Sequence, residues 1–456
     1  MLYPRFRWTS DPPYPSALLL EITACHVEYT RQGVNCRVYS TRVKMTNALA
    51  SVAENEVGMD DGTLLTVMTD WTRAATCSKA HGILIPRLDA ALPKKLRPEL
   101  PLFVKGVRRC GKSTLQRQIL GHYGIPHKQA IFVNFEDPRL WGSLNHHLLD
   151  AIVSLARRNQ KSTHIYFFFD EIQNVQNWEK WLHTKVERPS KDHFVVTGSN
   201  AHLLSGEIGS RLSGRHFDWE IFPFSFEEYS LLRKKKATVD SFLREGGFPK
   251  PLQIEESAEL LMQYFDDIVE RDIRERLKAK SAFPLKLMIR SVFEACGSEL
   301  SLRRLAAICG LTADTVSEYL TACENAYLIF SCPFFVLSQG KRLARKKKYY
   351  PIDTALRRHV TCCQTRDFGK DFETMVFLAL RRKFSQVYYW SGSGEVDFVV
   401  LTKKGIVPIQ VSLQEKKARL EDALGSFYEK YPQALESIMV TKENFAYFAK
   451  SFDEAF

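Results

Sequence analysis

The sequence predicts an α/β fold, a parallel sheet with helices laid on it, and three runs of residues carry that prediction. The first is Leu102, Phe103 and Val104, an apolar stretch that leads into Gly106-x-x-x-x-Gly111-Lys112-Ser113 and then into helical spacing at Leu115, Ile119 and Leu120. Strand, glycine loop and helix together are the setting of a phosphate-binding loop. The second and third are Ile165 to Phe169 and the run HFVVTG, each apolar throughout and each ending in polar residues. A strand buried on both faces reads this way, and in open parallel sheets ligands gather at the carboxyl ends of the strands.

Composition sets the outer limits. A chain of 456 residues calls for more than one domain, and 45% hydrophobic with 12% aromatic residues is ample for packed cores. No apolar run reaches the length of a membrane span, and the proline-rich start lacks the unbroken core of a signal peptide. Ten cysteines are scattered without metal-ligand spacing and read as reduced thiols of a cytoplasmic protein. The net charge of +12 points to acidic partners such as nucleic acid wherever it clusters.

Residues 1–80 carry as many acids as bases and show no sustained helical or alternating period. They are expected to be an extension outside the folded core, removable up to residue 79 with little loss of stability. From there IPRLDAALPKKL reads as a short amphipathic helix leading into the loop strand.

In the loop, Gly106 and Gly111 leave room for backbone N–H groups to turn inward around phosphates. Lys112 reaches the β- and γ-phosphate oxygens, the Ser113 hydroxyl is placed for Mg²⁺, and Thr114 follows at the helix start. The expected ligands are therefore ATP and Mg²⁺. The run QAIFVNFEDPRL adds another strand, ending at Glu136 and Asp137. Asp170 and Glu171 end the FFFDE strand. The first acid suits the metal and the second can polarise an attacking water. Thr197, Ser199 and Asn200 end the VVTGSN run beside the same edge. Arg211 and Arg215 follow; either could stabilise transition-state charge, from this chain or from a neighbouring copy in a homo-oligomer, and two surface arginines fit as well.

Taken together, GVRRCGKSTL, FFFDEIQN, VVTGSN, RLSGR, FPFSFEEY and GGFP resemble the prokaryotic AAA-type P-loop ATPases that carry a C-terminal nuclease-like domain. The resemblance spans roughly residues 80–450. It implies an AAA-like core over 81–228, Asn200 in the polar sensor position, and Arg211 or Arg215 as arginine finger.

A helical lid is expected over 229–280, closed by the long helical run LLMQYFDDIVERDIRERLKAK. Residues 281–348 have helix–turn–helix spacing: Ala306 where the helices cross, Gly310 at the turn, Thr312 as cap, Val316 and Leu320 inward. The second helix offers Asp314, Glu318 and Glu324 but no base, which argues against its lying on phosphates. The basic segment 341–348 stands where a winged helix has its wing, and both a backbone-contacting wing and a charged surface hairpin fit it. Residues 349–456 resemble a PD-(D/E)xK nuclease core. That resemblance implies Glu373, Asp397 and Gln410 as metal-binding positions, while Ser412 stands where the lysine belongs. Cleavage of DNA is not expected. The sequence thus points to a Mg²⁺-dependent ATPase that moves C-terminal modules, or to a nucleotide-gated binding module with negligible turnover.

Overall fold

The computed structural model describes residues 59–77, 84–87, 92–188, 190–199, 214–361, 367–413 and 418–455. Asn200, Arg211 and residues 1–58 lie outside these.

The centre is a five-stranded sheet of β1 (Leu102–Lys105), β2 (Ala130–Asn134), β3 (Tyr166–Asp170), β4 (His193–Gly198) and β5 (Phe217–Glu220), in the spatial order β2-β3-β4-β1-β5. Every pairing is parallel, with Leu102 opposite Val195 and Phe217, and Phe169 opposite Val133 and Val196. Strand alternation sends Leu102, Val104, Phe168 and Val195 into one core and Phe103, Phe167, Phe169 and Val196 into the other. Helices α2 (Lys112–His122), α3 (His146–Asn159) and α4 (Trp178–Glu187) are the crossovers between successive strands.

An element the sequence reading missed precedes them. Residues Asp61–Thr76 form helix α1, capped by Asp60, whose carboxylate accepts from the Thr63 N–H at 2.9 Å. Leu64, Val67 and Met68 are buried in the second core. The helix lies on β2, an edge strand. The Thr72 hydroxyl accepts from the Phe132 N–H at 3.0 Å, and the Trp71 indole donates to Asp137 at 2.8 Å. An open strand edge is a template for unwanted pairing, and α1 covers this one. Residues Asp61–Thr76 therefore belong to the described fold, and the expected boundary at 80, which placed them outside it, is corrected. The segment 84–87 is not helical either. Pro86 withholds a donor there, and Arg87 and Ile85 are instead tied to α2 through the Gln118 side chain.

Beyond the sheet come α5 (Phe226–Arg233), α6 (Val239–Glu245) and α7 (Ser257–Asp267), which continues through a π-helical stretch, Ile268–Arg274, to a last turn at Glu275–Leu277. Gly246 and Gly247 stitch the lid both to the end of the sheet and to Asp353, more than a hundred residues further on. Gly247 accepts from the Phe224 N–H and donates its own to the buried Asp353, each at 2.6 Å. A Cβ at Gly246, whose φ is +68°, would stand 2.4 Å from the Asp353 carboxylate.

Next are α8 (Phe283–Glu294), α9 (Leu302–Cys309) and α10 (Ala313–Asn325), then the antiparallel pair β6 (Ile329–Cys332) and β7 (Lys348–Pro351), with the short α11 (Gln339–Leu343) between them. As the spacing predicts, Gly310 ends α9 in the left-handed region, Thr312 caps α10, and Ala306, Val316 and Leu320 are buried. The rest comprises α12 (Thr354–Val360), α13 (Phe368–Lys383), β8 (Tyr388–Ser391), β9 (Glu395–Leu401), β10 (Ile406–Val411), α14 (Ala418–Lys430), β11 (Ile438–Val440) and α15 (Phe445–Ala455). Its sheet runs β11-β10-β9-β8, with β10 parallel to β11 and antiparallel to β9.

No apolar break separates these parts. One hydrophobic core runs from beneath β1 through the lid and the β6–β7 pair into the C-terminal sheet. Its spine is a file of rings: Phe222 to Phe330 at 5.5 Å, Phe330 to Phe377 at 6.4 Å, Phe377 to Tyr350 at 4.2 Å and to Phe398 at 5.8 Å. The Arg381 guanidinium ties α13 to Glu220 of β5 at 2.7 Å.

Candidate nucleotide site

The loop between β1 and α2 has the backbone its glycines foretell. Gly106 has φ +156°, and a Cβ there would meet the Ile221 carbonyl at 2.2 Å. Gly111 has φ +106° and opens α2, so the helix N-terminus points into the loop. Arg109 alone among the loop's non-glycine residues takes a positive φ, +70°.

The Lys112 ammonium is folded into the loop, donating to the carbonyls of Gly106 and Val107 at 3.2 Å each and lying 3.5 Å from the Glu171 carboxylate. Burial works against that charge, but Glu171 and Asp170 more than offset it and its pKa is raised. The Ser113 hydroxyl donates to Asp170 at 2.6 Å, so the two oxygens have the spacing to share a divalent cation. The Thr197 hydroxyl donates to the other Asp170 oxygen, and the Asn134 amide reaches the carboxylate at 3.2 Å. Burial and the neighbouring Glu171 charge raise the Asp170 pKa, whereas burial of Glu171 is outweighed by Lys112 and its pKa is lowered. A cation placed between Ser113 and Asp170 would relieve the first of these conflicts.

Lys112, Ser113, Asn134, Asp170 and Glu171 line a cleft of about 520 Å³ with Thr114, Arg108, Arg109 and Glu136. Leu84, Ile85, Pro249 and Tyr264 also line it and offer apolar surface fit for a flat ring. Arg87, another lining residue, donates to Glu228, Cys110 O and Phe222 O at 2.7, 2.9 and 2.6 Å. Glu228 also completes the capping box of α5 with Ser225, which gives the FSFEE run its structural meaning.

The structure thus brings Gly106, Gly111, Lys112, Ser113, Thr114, Asp170 and Glu171 together. It does not bring Arg215 to them. Phe217 pairs with Leu102 at the start of β1, so Arg215 lies at the amino end of the sheet, opposite the loop, and pairs with Glu187 at 2.7 Å. An arginine there is no part of this chain's own cleft, so of the sources left open for a finger, this chain's own Arg215 is set aside. Sequence reading passed over Asn134, Arg108 and Asp272. Arg108 stands inside the loop motif, but Asp272, far along the chain, had no signal beyond being one acid in a charged helix.

The basic segment needs a correction as well. Lys341, Arg345, Lys346 and Lys347 are exposed or half-exposed, but Lys348 is fully buried and pairs with Glu395. It lies 3.9 Å from Glu373, which also accepts from the Tyr350 hydroxyl at 2.6 Å. Helix α10, the acidic one, does not stand free. Its Asp314 and Glu318 line a groove of about 610 Å³ together with Asp272 and Arg276 of the lid.

In the C-terminal part Asp397 and Gln410 lie side by side on β9 and β10. The Gln410 amide is spent on the backbone, accepting from the Asp397 N–H at 3.2 Å and donating to Glu395 O at 2.9 Å. Among the described residues no group of three His, Cys, Asp or Glu side chains could hold a metal ion. Burial and the nearby Glu373 push the Asp397 carboxyl up to about 7. An acid whose native pKa lies above its unfolded one loses stability as pH rises between the two. Asp397→Asn should therefore melt near wild type below about pH 4 and above it beyond about pH 7. Equal melting temperatures at both ends of that window would refute the burial of this charge.

The sheet order, the loop and the acids beside it make a parallel α/β P-loop fold with a nucleotide-binding cleft. The AAA domain family matches residues 99–230, and two domains of unknown function match 237–367 and 368–454. The chain is 31% identical over 332 residues to an uncharacterised protein of Haemophilus influenzae, covering 68% of this chain and 82% of that one. It belongs to the same family as that protein. An uncharacterised protein of Methanocaldococcus jannaschii is 28% identical over 356 residues, 72% of this chain and 78% of its own. Among solved structures, the Aeropyrum pernix ORC1 protein in complex with DNA aligns over 66% of this chain and 91% of its own, at 11% identity and a TM-score of 0.27. That likeness is too slight to bear on function. No helix among the described residues is long and apolar enough to cross a membrane.

Proposed function

We propose that this protein is a Mg²⁺-dependent ATPase whose hydrolysis cycle acts through the lid on the winged-helix-like connector and the nuclease-like C-terminal part. The observation that carries this reading is the constellation of Lys112, Ser113, Asp170 and Glu171, with the lysine 3.5 Å from one acid and the serine 2.6 Å from the other. Ser113 and Asp170 would hold Mg²⁺, which supplies charge on the phosphate oxygens. Lys112 would leave the loop carbonyls for the phosphates, and Glu171 would then be free to orient water. The bases at the surface of 341–347 support nucleic acid as the partner on which the cycle acts. Arg211 and Arg215 remain candidates for a finger offered to a neighbouring copy.

A second reading, a nucleotide-gated binding module with negligible turnover, is favoured by the engagement of Glu171 with both Lys112 and Gln173. Phosphate release with and without DNA separates the two. Lys112→Ala is expected to weaken ATP binding at least about tenfold, by about 1.4 kcal/mol or more, in a titration with a fluorescent nucleotide. Unchanged affinity would remove the loop from the role given it.

A further inference from the structure

One ion-pair network in the cleft has no part in holding the phosphate loop's usual ligands. The Arg108 guanidinium, 8% exposed, grips Asp272 of the π-helical stretch through two nitrogens at 3.0 and 3.2 Å and reaches Glu136 at the end of β2 at 2.9 Å. Asp272, itself 3% exposed, also accepts from the Ser199 hydroxyl at 3.0 Å, and Arg276 lies 3.9 Å away. One buried point thus joins the loop, the end of β2, the residue after β4 and the lid. Arg108 and Arg276 both interact electrostatically with Glu171, the acid assigned to the attacking water, whereas Arg117 interacts with Asp170. Arg108 stands within the phosphate loop, four residues before Lys112, and lines the same cleft as Ser113, Asp170 and Glu171.

Two arginines and two acids make the network neutral as it stands. A terminal phosphate adds about two negative charges beside it, which attract the guanidinium and repel Asp272 and Glu136. A diphosphate brings one phosphate fewer, and so less charge to set against the pairing. The lid holds Asp272 in a π-helical stretch, a wider turn than the α-helices on either side of it, and such turns recur at functional sites.

Resting on the nucleotide reading above, we propose that Arg108 is the residue with which this chain distinguishes tri- from diphosphate: it exchanges Asp272 for the terminal phosphate and so releases the lid. The release reaches further, because Asp272 and Arg276 face Asp314 and Glu318 of α10 across their shared groove.

The test compares a non-hydrolysable triphosphate analogue with ADP, by calorimetry on the full chain, in wild type, Arg108→Ala, Arg108→Lys and Asp272→Asn. Arg108→Ala should weaken the analogue about 10- to 100-fold and leave ADP within about twofold, with turnover down by about 10³. Arg108→Lys should recover part of the preference. Asp272→Asn, which loosens the grip on Arg108, should tighten the analogue and not ADP. Hydrogen exchange at residues 268–277 should quicken with the analogue, not with ADP, and only where Arg108 is present. Arg108→Ala leaves the buried Asp272 with only Ser199 and the more distant Arg276, so the double variant Arg108→Gln with Asp272→Asn, neutral at both places, is the control for folding. Loss of preference in that folded double variant supports the proposal. Equal weakening of both nucleotides by Arg108→Ala, or no change in either, overturns it. Wild-type protein that binds neither nucleotide refutes the ATPase reading itself.

Discussion

Glu171→Gln should keep ATP bound and slow its hydrolysis by about 10²–10⁴-fold, the usual contribution of a positioned general base. The side chain sits at the end of β3 on a backbone in the left-handed region, φ +53°, with its N–H donating to the Thr197 hydroxyl at 3.1 Å. Glutamine can hold the same place, so the loss reports on chemistry and not on folding. Two side effects are expected from the charges. Removing Glu171's charge takes away a repulsion that raises the Asp170 pKa, so Asp170 becomes a readier carboxylate. It also frees Lys112 of a partner 3.5 Å away, so ATP should bind as well or better. Phosphate release at saturating ATP measures the loss of turnover, and nucleotide titration the change in affinity. Turnover near wild type would remove Glu171 from the base role and leave the acidic pair a structural feature of the loop.

The other large effect is expected from helix α1. Leu64→Ala should destabilise the protein by about 2–5 kcal/mol, the range for a large-to-small change in a packed core. Leu64 and Val67 are fully buried, and the helix covers the edge of the sheet that holds Asn134 and Phe132. Removing residues 1–79 should cost more still, because it uncovers the Phe132 N–H, unpairs Asp137 from Trp71 and opens the second core. Thermal melting decides it. A Leu64→Ala protein that melts with the wild type would mean that α1 adds nothing to the fold.

That helix shows where the sequence misleads. Leu64, Val67, Met68, Trp71 and Ala75 keep helical spacing, and Asp60 caps them. The stripe is interrupted by threonines, which favour strands, and it lies beyond a long unpatterned stretch, so its period is diluted in any wide window. The phosphate loop is legible for the opposite reason: its chemistry requires glycine, lysine and serine at fixed offsets within a few residues. Asp170 and Glu171 are legible because a run buried on both faces announces a central strand. Arg108 with Asp272, and Lys348 with Glu395, are pairs joined only by folding, and nothing local marks either partner. Lys348 misled outright. It ends a run of bases in the sequence, and only the strand pairing of β7 turns it inward.

The file of rings from Phe222 to Phe398 bears on how the molecule can be taken apart. The family boundaries at 230 and 367 divide the sequence, but a cut at either would tear an aromatic stack in two and leave its faces in water. Fragments made at those points should aggregate, because each exposes a contiguous apolar face. Substitutions along the stack would then be tolerated in matched sets, each ring's size tied to the next. The P-loop part and the C-terminal half would be inherited as one piece and exchanged, if at all, together.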